Sequence, residues 1–213
     1  MEKKILTTCC LMLTCIWLLT QCTEARTEEN KQTTETKELA QTGSQTGKYG
    51  GFESQIKYGE HLVLIGACHD CHTPKKMTDK GPVIDFSLAL SGHPAKMPIP
   101  DIDRKEIESK GLAVTQTLTA WVGPWGVSYA ANLTPHKTGI GTWEEKNFFT
   151  ALREGKHKGV ATARTLLPPM PWDMYRNMTD EEIRAIFAYL KSIKPIDNTV
   201  PPPQPPVTSM SGK

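Results

Sequence analysis

Cys68-His69-Asp70-Cys71-His72 places two thiols and an imidazole at positions i, i+3 and i+4 of one short stretch. On a helical turn these three positions share one face. Two thiols on one face can add to the two vinyl groups of a porphyrin, while the imidazole of His72 reaches the iron from below. Cys-x-x-Cys-His is the signal for covalent haem attachment. The sequence therefore predicts one covalent haem c, with Cys68 and Cys71 as thioethers and His72 as an iron ligand.

Two other uses of paired cysteines fit the sequence less well. A structural zinc site needs four ligands, usually from two Cys/His pairs, and the body of the chain has no second pair. A thioredoxin-like redox pair needs a preceding strand and an α/β pattern, and neither is visible around Cys68 and Cys71. The other four cysteines lie in or just after the apolar N-terminal run. A disulfide scaffold is therefore not expected either.

Residues 1–22 are typical of a targeting segment. Lys3 and Lys4 precede an apolar core, Ile5 to Leu19, that is too short for a comfortable membrane span. Leu19-Thr20-Gln21-Cys22 resembles a bacterial lipobox, although Gln21 stands where a small residue is usual. We expect export to the bacterial periplasm or the outer cell surface, with a lipid anchor at Cys22. An ordinary signal peptide or an uncleaved anchor are the alternatives.

The rest of the chain divides into three parts. Residues 23–51 are polar and nearly free of large apolar side chains, which predicts a flexible tether. Residues 52–195 form one predicted domain. Residues 196–213 contain Pro201-Pro202-Pro203 and Pro205-Pro206, which predicts an extended, disordered tail that does not pack. The net charge of +2, without a basic stripe, gives no indication of nucleic-acid binding.

Helical periodicity and capping signals predict three helices in the domain. Two begin with a capping box, in which a Thr is followed three residues later by a Glu. The predicted helices run from about Glu53 to Ala67, from the N-cap Thr142 with Glu145 to a stop at Gly155, and from the N-cap Thr179 with Glu182 to a stop at Pro195.

A long segment, Gly81 to Ala131, is rich in Gly and Pro and is predicted to be an irregular insertion. Asp103 to Lys110 is a candidate short helix within it. The insertion, with Trp121 and Trp125, is a candidate cover for the haem edge, and the two tryptophans either pack or form a partner site.

The iron needs a sixth ligand or an open coordination position. Met170 stands out because Pro168-Pro169-Met170-Pro171 restricts the backbone on both sides of it. A stiff loop can hold a weakly binding thioether on iron at little entropic cost. The alternatives are Met97, in another Pro-flanked loop, then Met174, Met178 and the histidines, and a purely structural role for Met170 is also open.

Several stretches around these residues are similar to the class I cytochrome c family. The closest resemblance is to bacterial cytochrome c domains that are electron-accepting subunits of periplasmic dehydrogenases. The resemblance covers nearly all of residues 52–195. The matching stretches are Gly66 to Pro74, Asn132-Leu133-Thr134-Pro135, Gly139 to Trp143, Leu152-Arg153-Glu154-Gly155, Met170-Pro171-Trp172, Tyr175 to Glu182, and Tyr189-Leu190.

The resemblance implies a mostly α fold in which the first and last helices cross and wrap, with the others, around one covalent haem. Gly59 would permit close approach of the last helix at Phe187 or Tyr189. The family's axial methionine corresponds to Met170. Position in the family also makes three residues candidates for contacts with the haem propionates: Tyr175, Arg176 and Asn132.

The expected function is single-electron transfer with His72 and Met170 as axial ligands, and no catalysis by this chain itself. Relatives with this pattern often carry two or three haem domains, whereas this chain has one attachment motif. It would therefore act as a relay between a dehydrogenase or respiratory donor and an acceptor. A peroxidase-like enzyme, or a gas or redox sensor with an exchangeable sixth ligand, is the alternative.

Overall fold

The structure, a computed structural model, describes residues 47–207. The predicted targeting segment, with the predicted lipid site Cys22, and most of the predicted tether lie outside the described residues, as do residues 208–213. Residues 1–51 form a unit separate from residues 52–213, and its described end contains a 3-10 turn, Lys48–Gly51. Between residues 47 and 207, no helix is both long and apolar enough to cross a membrane.

From residue 52 onward the fold is mostly helical, as predicted, with two small antiparallel hairpins. The helices are α1 (Gln55–Ile65), α2 (Cys68–His72), α3 (Arg104–Ser109), α4 (Glu145–Arg153), α5 (Trp172–Tyr175) and α6 (Asp180–Ser192). The strands are β1 (Lys75–Thr78), β2 (Gly81–Ile84), β3 (Ala120–Gly123) and β4 (Gly126–Tyr129). Short 3-10 turns cover Phe86–Leu88 and His157–Gly159.

The first and last helices of the domain pack closely where they cross. A Cβ atom built on Gly59 of α1 would lie 1.9 Å from the carbonyl oxygen of Ala185 and 2.8 Å from the Cβ of Tyr189 on α6. Only a glycine permits this approach, so the close contact predicted at Gly59 is present, with Ala185 as its nearest partner. The crossing fixes the direction in which α1 leads into α2.

An apolar core lies beneath this crossing. Side chains from α1, α4 and α6 meet residues of two loops, and most of them are almost wholly inaccessible to water. Each such burial contributes about 1.5–3 kcal/mol of transfer free energy. The core contains Leu62, Val63, Leu90, Ile140, Phe148, Leu152, Ile183, Ala185, Ile186 and Leu190.

Of the two helix starts predicted from a capping box, one is confirmed and the other is wrong. Thr179 caps α6, and its side chain accepts the N–H of Glu182 while the Glu182 carboxylate accepts that of Thr179. Thr142 does not cap α4, whose N-cap is Glu144. The chain is still turning at this point, because the N–H of Trp143 bonds to the carbonyl of Ile140. The helix therefore starts later, and Asn147 accepts the N–H of Glu144.

The insertion is more ordered than predicted. Its hairpin β3–β4 pairs Ala120 with Tyr129 and Trp121 with Ser128, and β2 pairs with β1 directly after the Cys-His motif. The short helix predicted within it is present as α3, with Asp103 as its N-cap. Trp121 is only 8% exposed, which fits the packing role for this side chain.

Residues 196–207, here called the strap, are extended as predicted but pack against the domain instead of lying free. Gln204 exchanges two backbone hydrogen bonds with Val127, of 2.9 and 3.0 Å, and so adds to the edge of the β3–β4 hairpin. Arg104 donates to the side chain of Gln204 and to the carbonyl of Pro205. The N–H of Val207 donates to the buried carboxylate of Glu108 at 2.7 Å. Prolines lack an N–H group, but these other groups tie the segment down.

Candidate haem site

The Cys-His motif lies on the short helix α2, at a sharp corner after α1. Gly66 ends α1, and Ala67 turns the chain with a left-handed backbone (φ +54°) before α2 begins at Cys68. The predicted helical turn is therefore present and carries both thiols and the imidazole. Cys68 and Cys71 are free and half-buried.

His72 is held in one orientation by a backbone group. Its side chain is buried, and Nδ1 lies 2.7 Å from the carbonyl oxygen of Ala131. A carbonyl only accepts hydrogen bonds, so Nδ1 carries the proton and Nε2 keeps its lone pair. Burial lowers the pKa of His72, the main effect, although the bond to Ala131 opposes it. A neutral imidazole with a free Nε2 and a carbonyl on the other nitrogen is the usual form of a metal-binding histidine.

The start of the insertion buttresses the motif. Thr73 is fully buried, and its hydroxyl accepts the N–H of Leu90 at 2.9 Å. The N–H of Gly92 donates to the carbonyl of His72 at 2.8 Å. Gly92 has φ +78°, and a Cβ there would lie 2.6 Å from the carbonyl oxygen of Ala130. The chain next to His72 and the chain next to Ala131 are thus both packed against Leu90 and Gly92.

The thiols have the wrong chemistry for a redox-active pair. Burial raises the pKa of Cys68 to about 12 and also raises the pKa of Cys71. Both are therefore neutral at neutral pH, whereas thiol–disulfide exchange needs a thiolate. A metal cluster is not supported either, since the described part of the chain has no group of three or more His, Cys, Asp or Glu side chains placed to hold an ion. Two neutral thiols and one neutral imidazole on one turn fit a covalently attached porphyrin.

Met170 lies in a loop near the Cys-His motif. Two aromatic side chains attach this loop to the helices around the motif. Its side chain is half-buried and packs against the same apolar core as Cys68. The indole ring of Trp172 covers Gly155 so closely that a Cβ there would lie 2.4 Å from ring atoms. The hydroxyl of Tyr175 donates to the carbonyl of Gly66 at 2.6 Å. The loop that carries Met170 is thus brought to the corner that carries Cys68.

The Tyr175 hydroxyl is a weak acid in this environment. Its pKa is raised to about 12, chiefly by burial. The phenol therefore stays protonated at neutral pH and remains a hydrogen-bond donor. This keeps the contact to Gly66 intact across the physiological range.

The alternative ligands make other contacts or are exposed in this structure. His93 is fully buried, with Nδ1 on the hydroxyl of Thr119 and Nε2 on the carbonyl of Met97. The sulfur of Met97 lies 3.8 Å from the hydroxyl of Thr117, and Met174 is 67% exposed. Met178 packs against the core, while the remaining histidines lie against Phe52 (His61), Thr73 (His69), Thr138 (His136) and Arg164 (His157).

The three residues suggested for propionate contacts have other partners in this structure. Asn132 is only 3% exposed; its amide donates to the carbonyl of Ile196 at 2.9 Å and its oxygen accepts the N–H of Thr134. Tyr175 is used at Gly66, and the guanidinium of Arg176 lies over the ring of Trp172. Asn132 therefore fastens the strap to the domain.

Two groups that hold the site together have no signal in the sequence. One is the carbonyl of Ala131, which any residue type could supply. The other is the hydroxyl of Ser128, which donates to the carbonyl of Pro168 in the Met170 loop. Ser is too common for one such residue to signal this role.

The chain matches one protein family and is similar to several known proteins. The family model described as Cytochrome c matches residues 56–194. The fructose dehydrogenase cytochrome subunit of Gluconobacter japonicus is 40% identical over 85 residues, which are 39% of this chain and 17% of that protein.

Two further relatives match over longer stretches. The alcohol dehydrogenase (quinone) cytochrome c subunit of Gluconobacter oxydans (strain 621H) is 29% identical over 146 residues, 68% of this chain and 23% of that protein. The gluconate 2-dehydrogenase cytochrome c subunit of Pantoea cypripedii is 29% identical over 138 residues, 64% of this chain and 23% of that protein. The chain thus spans less than a quarter of the length of these three relatives.

Proposed function

We propose, from the premise that the chain belongs to the cytochrome c family, that it transfers single electrons through one covalent haem c. Cys68 and Cys71 would form the two thioethers, and His72 and Met170 would be the axial ligands. The observation that carries the proposal is the α2 turn, where two free thiols lie beside a buried imidazole whose Nε2 is left available by the Ala131 carbonyl.

The chain's own contribution is to hold and shield its cofactor. When bound, the haem supplies an iron that alternates between the ferric and ferrous states. The Ala131 carbonyl fixes the His72 ring, and the buried apolar side chains next to α2 exclude water. An environment that changes little between two oxidation states makes electron transfer fast, because few groups must rearrange.

Met170 is the proposed sixth ligand. Its loop is attached to the motif corner through Tyr175 and to α4 through Trp172. A thioether stabilises ferrous iron and raises the reduction potential, which suits an electron acceptor. A closed sixth position also disfavours oxygen or peroxide chemistry, so we assign no catalytic role to this chain.

The names of the relatives suggest the kind of partner. Each of the three is a cytochrome subunit of a dehydrogenase, so we propose a relay between a dehydrogenase or respiratory donor and an acceptor. We also propose export to the bacterial periplasm or outer cell surface, with a membrane anchor at Cys22.

Lys75, which follows the Cys-His motif, is not a free charge for steering partners. Its ammonium donates to the carbonyls of Asp70 and Thr73.

The test is the absorption spectrum of the ferric, haem-loaded protein, compared with those of Met170→Ala and Met174→Ala. Met174 is a matched control, since it lies four residues away and is exposed. We expect a weak long-wavelength sulfur-to-iron charge-transfer band in the wild type and in Met174→Ala, and its loss in Met170→Ala. A wild type without the band, or a Met170→Ala variant that keeps it, would contradict the ligand assignment. Rapid carbon monoxide binding by the reduced wild type would favour an enzyme or sensor.

Covalent attachment is tested separately by the mass of the denatured protein. We expect the mass of one haem to remain on the wild type and to be lost when Cys68 and Cys71 are both replaced by Ala. Retention of a haem on that double variant would contradict thioether formation at this motif.

A further inference from the structure

The β3–β4 hairpin of the insertion reaches the loop that carries Met170. Ser128, on β4, is 6% exposed. Its hydroxyl lies 2.6 Å from the carbonyl oxygen of Pro168, two residues before Met170. The same hydroxyl lies 3.0 Å from the indole Nε1 of Trp125. The Met170 loop thus has a contact outside the helices around the motif.

The direction of these two hydrogen bonds is determined by chemistry. An indole N–H can only donate and a carbonyl can only accept. The Ser128 oxygen must therefore accept from Trp125 and give its own proton to Pro168. Neither bond can be reversed, so the hydroxyl has one orientation. Alanine at position 128 would leave both partners without this oxygen, and threonine would retain it.

The hairpin that presents Ser128 is packed within its own turn and held at both edges. The Trp125 ring lies against Gly123, where a Cβ would come within 2.6 Å of it. Val122 exchanges two backbone hydrogen bonds of 2.9 Å with Val114 on one side of the hairpin. Val127 exchanges two with Gln204 of the strap on the other. The carbonyl of Pro168 is therefore attached to a braced sheet.

We propose that Ser128 is a positioning residue for the sixth iron ligand, holding Met170 in place through the carbonyl of Pro168. This rests on the proposed function, in which Met170 binds the iron. Trp172 and Tyr175 attach the loop on the C-terminal side of Met170, and Ser128 attaches it on the N-terminal side. A swing of the loop that carries the thioether off the iron would break the bond from Ser128. The hydroxyl thereby slows detachment of the ligand.

The experiment measures how fast added imidazole binds to the ferric, haem-loaded protein. At saturating imidazole this rate is limited by departure of the methionine. Ser128→Ala is compared with Ser128→Thr, which keeps the hydroxyl, and with Ser192→Ala. Ser192 is a matched control, because its hydroxyl also donates to a backbone carbonyl, that of Tyr189 at 2.8 Å, at the end of α6.

We expect Ser128→Ala to bind imidazole about tenfold faster than the wild type, as loss of one buried hydrogen bond predicts. Its reduction potential should fall, because a looser thioether stabilises ferrous iron less. Ser128→Thr and Ser192→Ala should stay within about twofold of the wild type, since the bond from position 128 is kept in both. A purely structural role would lower the free energy of unfolding, which urea unfolding of all three variants measures, and would leave the reduction potential unchanged.

Two outcomes would overturn the inference, and they are distinguishable. If the wild type has the sulfur-to-iron band and Met170→Ala loses it, but Ser128→Ala binds imidazole at the wild-type rate, Ser128 has no positioning role and the proposed function stands. If the wild type lacks the band and Met170→Ala binds imidazole no faster, the ligand assignment fails and the inference fails with it.

Discussion

The helical body (residues 52–74 and 132–195) and the insertion with its strap (residues 75–131 and 196–207) are stabilised in different ways. In the body, apolar side chains close over a helix crossing so tight that Gly59 touches the backbone of Ala185. In the insertion and strap, polar groups distant in sequence are paired, such as Arg104 with Gln204 and Val207 with Glu108.

This difference separates two tasks at the candidate site. The body supplies the motif helix and most of the apolar core around it. The insertion supplies two polar groups that orient parts of the site. The Ala131 carbonyl orients the His72 ring, and the Ser128 hydroxyl holds the Met170 loop. Substitutions in the body should therefore act through sterics and apolar burial, and those in the insertion through unpaired polar groups. The following predictions test that division.

The largest effect is expected at the helix crossing. Gly59→Ala should lower the free energy of unfolding by about 3 kcal/mol or more, because overpacking cannot be relieved against a backbone oxygen. Helix propensity alone predicts the opposite sign, a gain of about 1 kcal/mol. Urea unfolding of the haem-loaded protein measures the change, with Glu60→Ala, on the exposed side of the same helix, as the control. A stabilised Gly59→Ala protein would contradict the packing described for the body.

A smaller effect is expected from the ion pair of α3 that faces the strap. The Glu108 carboxylate is fully buried and lies 2.8 Å from the Arg104 guanidinium. Arg104→Ala should cost about 2–3 kcal/mol, because it leaves a buried charge with less compensation. Lys110→Ala removes the exposed i,i+4 pair with Glu106 on the same helix, and it should cost under about 0.5 kcal/mol. Equal unfolding free energies for the two variants would show that the burial of the Glu108 carboxylate does not raise the cost of removing its partner.

The insertion should also contribute a dependence of stability on acid. Burial lowers the pKa of His93 below its usual 6.5. As the pH falls below about 6.5, His93 binds a proton in the unfolded chain but not in the folded protein. The free energy of unfolding therefore falls by up to about 1.4 kcal/mol per pH unit. His93→Gln keeps a donor for Met97 and an acceptor for Thr119 but cannot titrate. Its unfolding free energy should decline less steeply below pH 6.5 than that of the wild type, and parallel declines would count against the burial of His93.

The smallest effect is expected at a local signal in the body. Thr179→Ala removes the N-cap of α6 and should cost about 1 kcal/mol. Thr142→Ala is its matched control, since the same Thr-x-x-Glu pattern is present there but the residue does not cap a helix. We expect the control to change the unfolding free energy by less than about 0.3 kcal/mol. The reverse order would mean that α4 begins where the sequence pattern alone places it.

These contrasts also show why some features were predictable from sequence. The haem motif and the capping box at Thr179 are local patterns whose meaning depends on neighbours within one or two turns. The close approach at Gly59, whose partner Ala185 lies on the last helix, was predicted from the family resemblance. The α4 start was misplaced because a turn between Ile140 and Trp143 outcompeted the capping pattern. The hairpin β3–β4 was missed because its pairing is stabilised by the strap, more than seventy residues away.

For the candidate site, the sequence pointed only to side chains. Cys68, Cys71, His72 and Met170 are predicted to attach or bind the haem because of their residue types, and this assignment stays a prediction. The carbonyl of Ala131 carries no such information, and its role depends on the fold that places it 2.7 Å from His72. Asn132 lies beside it but donates to the strap at Ile196, which family position did not indicate.

The pairing of Val127 with Gln204 has a consequence for biosynthesis. A chain that emerges from its amino end completes both strands of the β3–β4 hairpin long before residue 204 is made. Until then, the N–H and C=O of Val127 form an open sheet edge, which is a site where strands of different molecules can join. The strap, which is synthesised after the described helices, therefore closes this edge. A chain truncated after residue 195 would have those helices complete but that edge open.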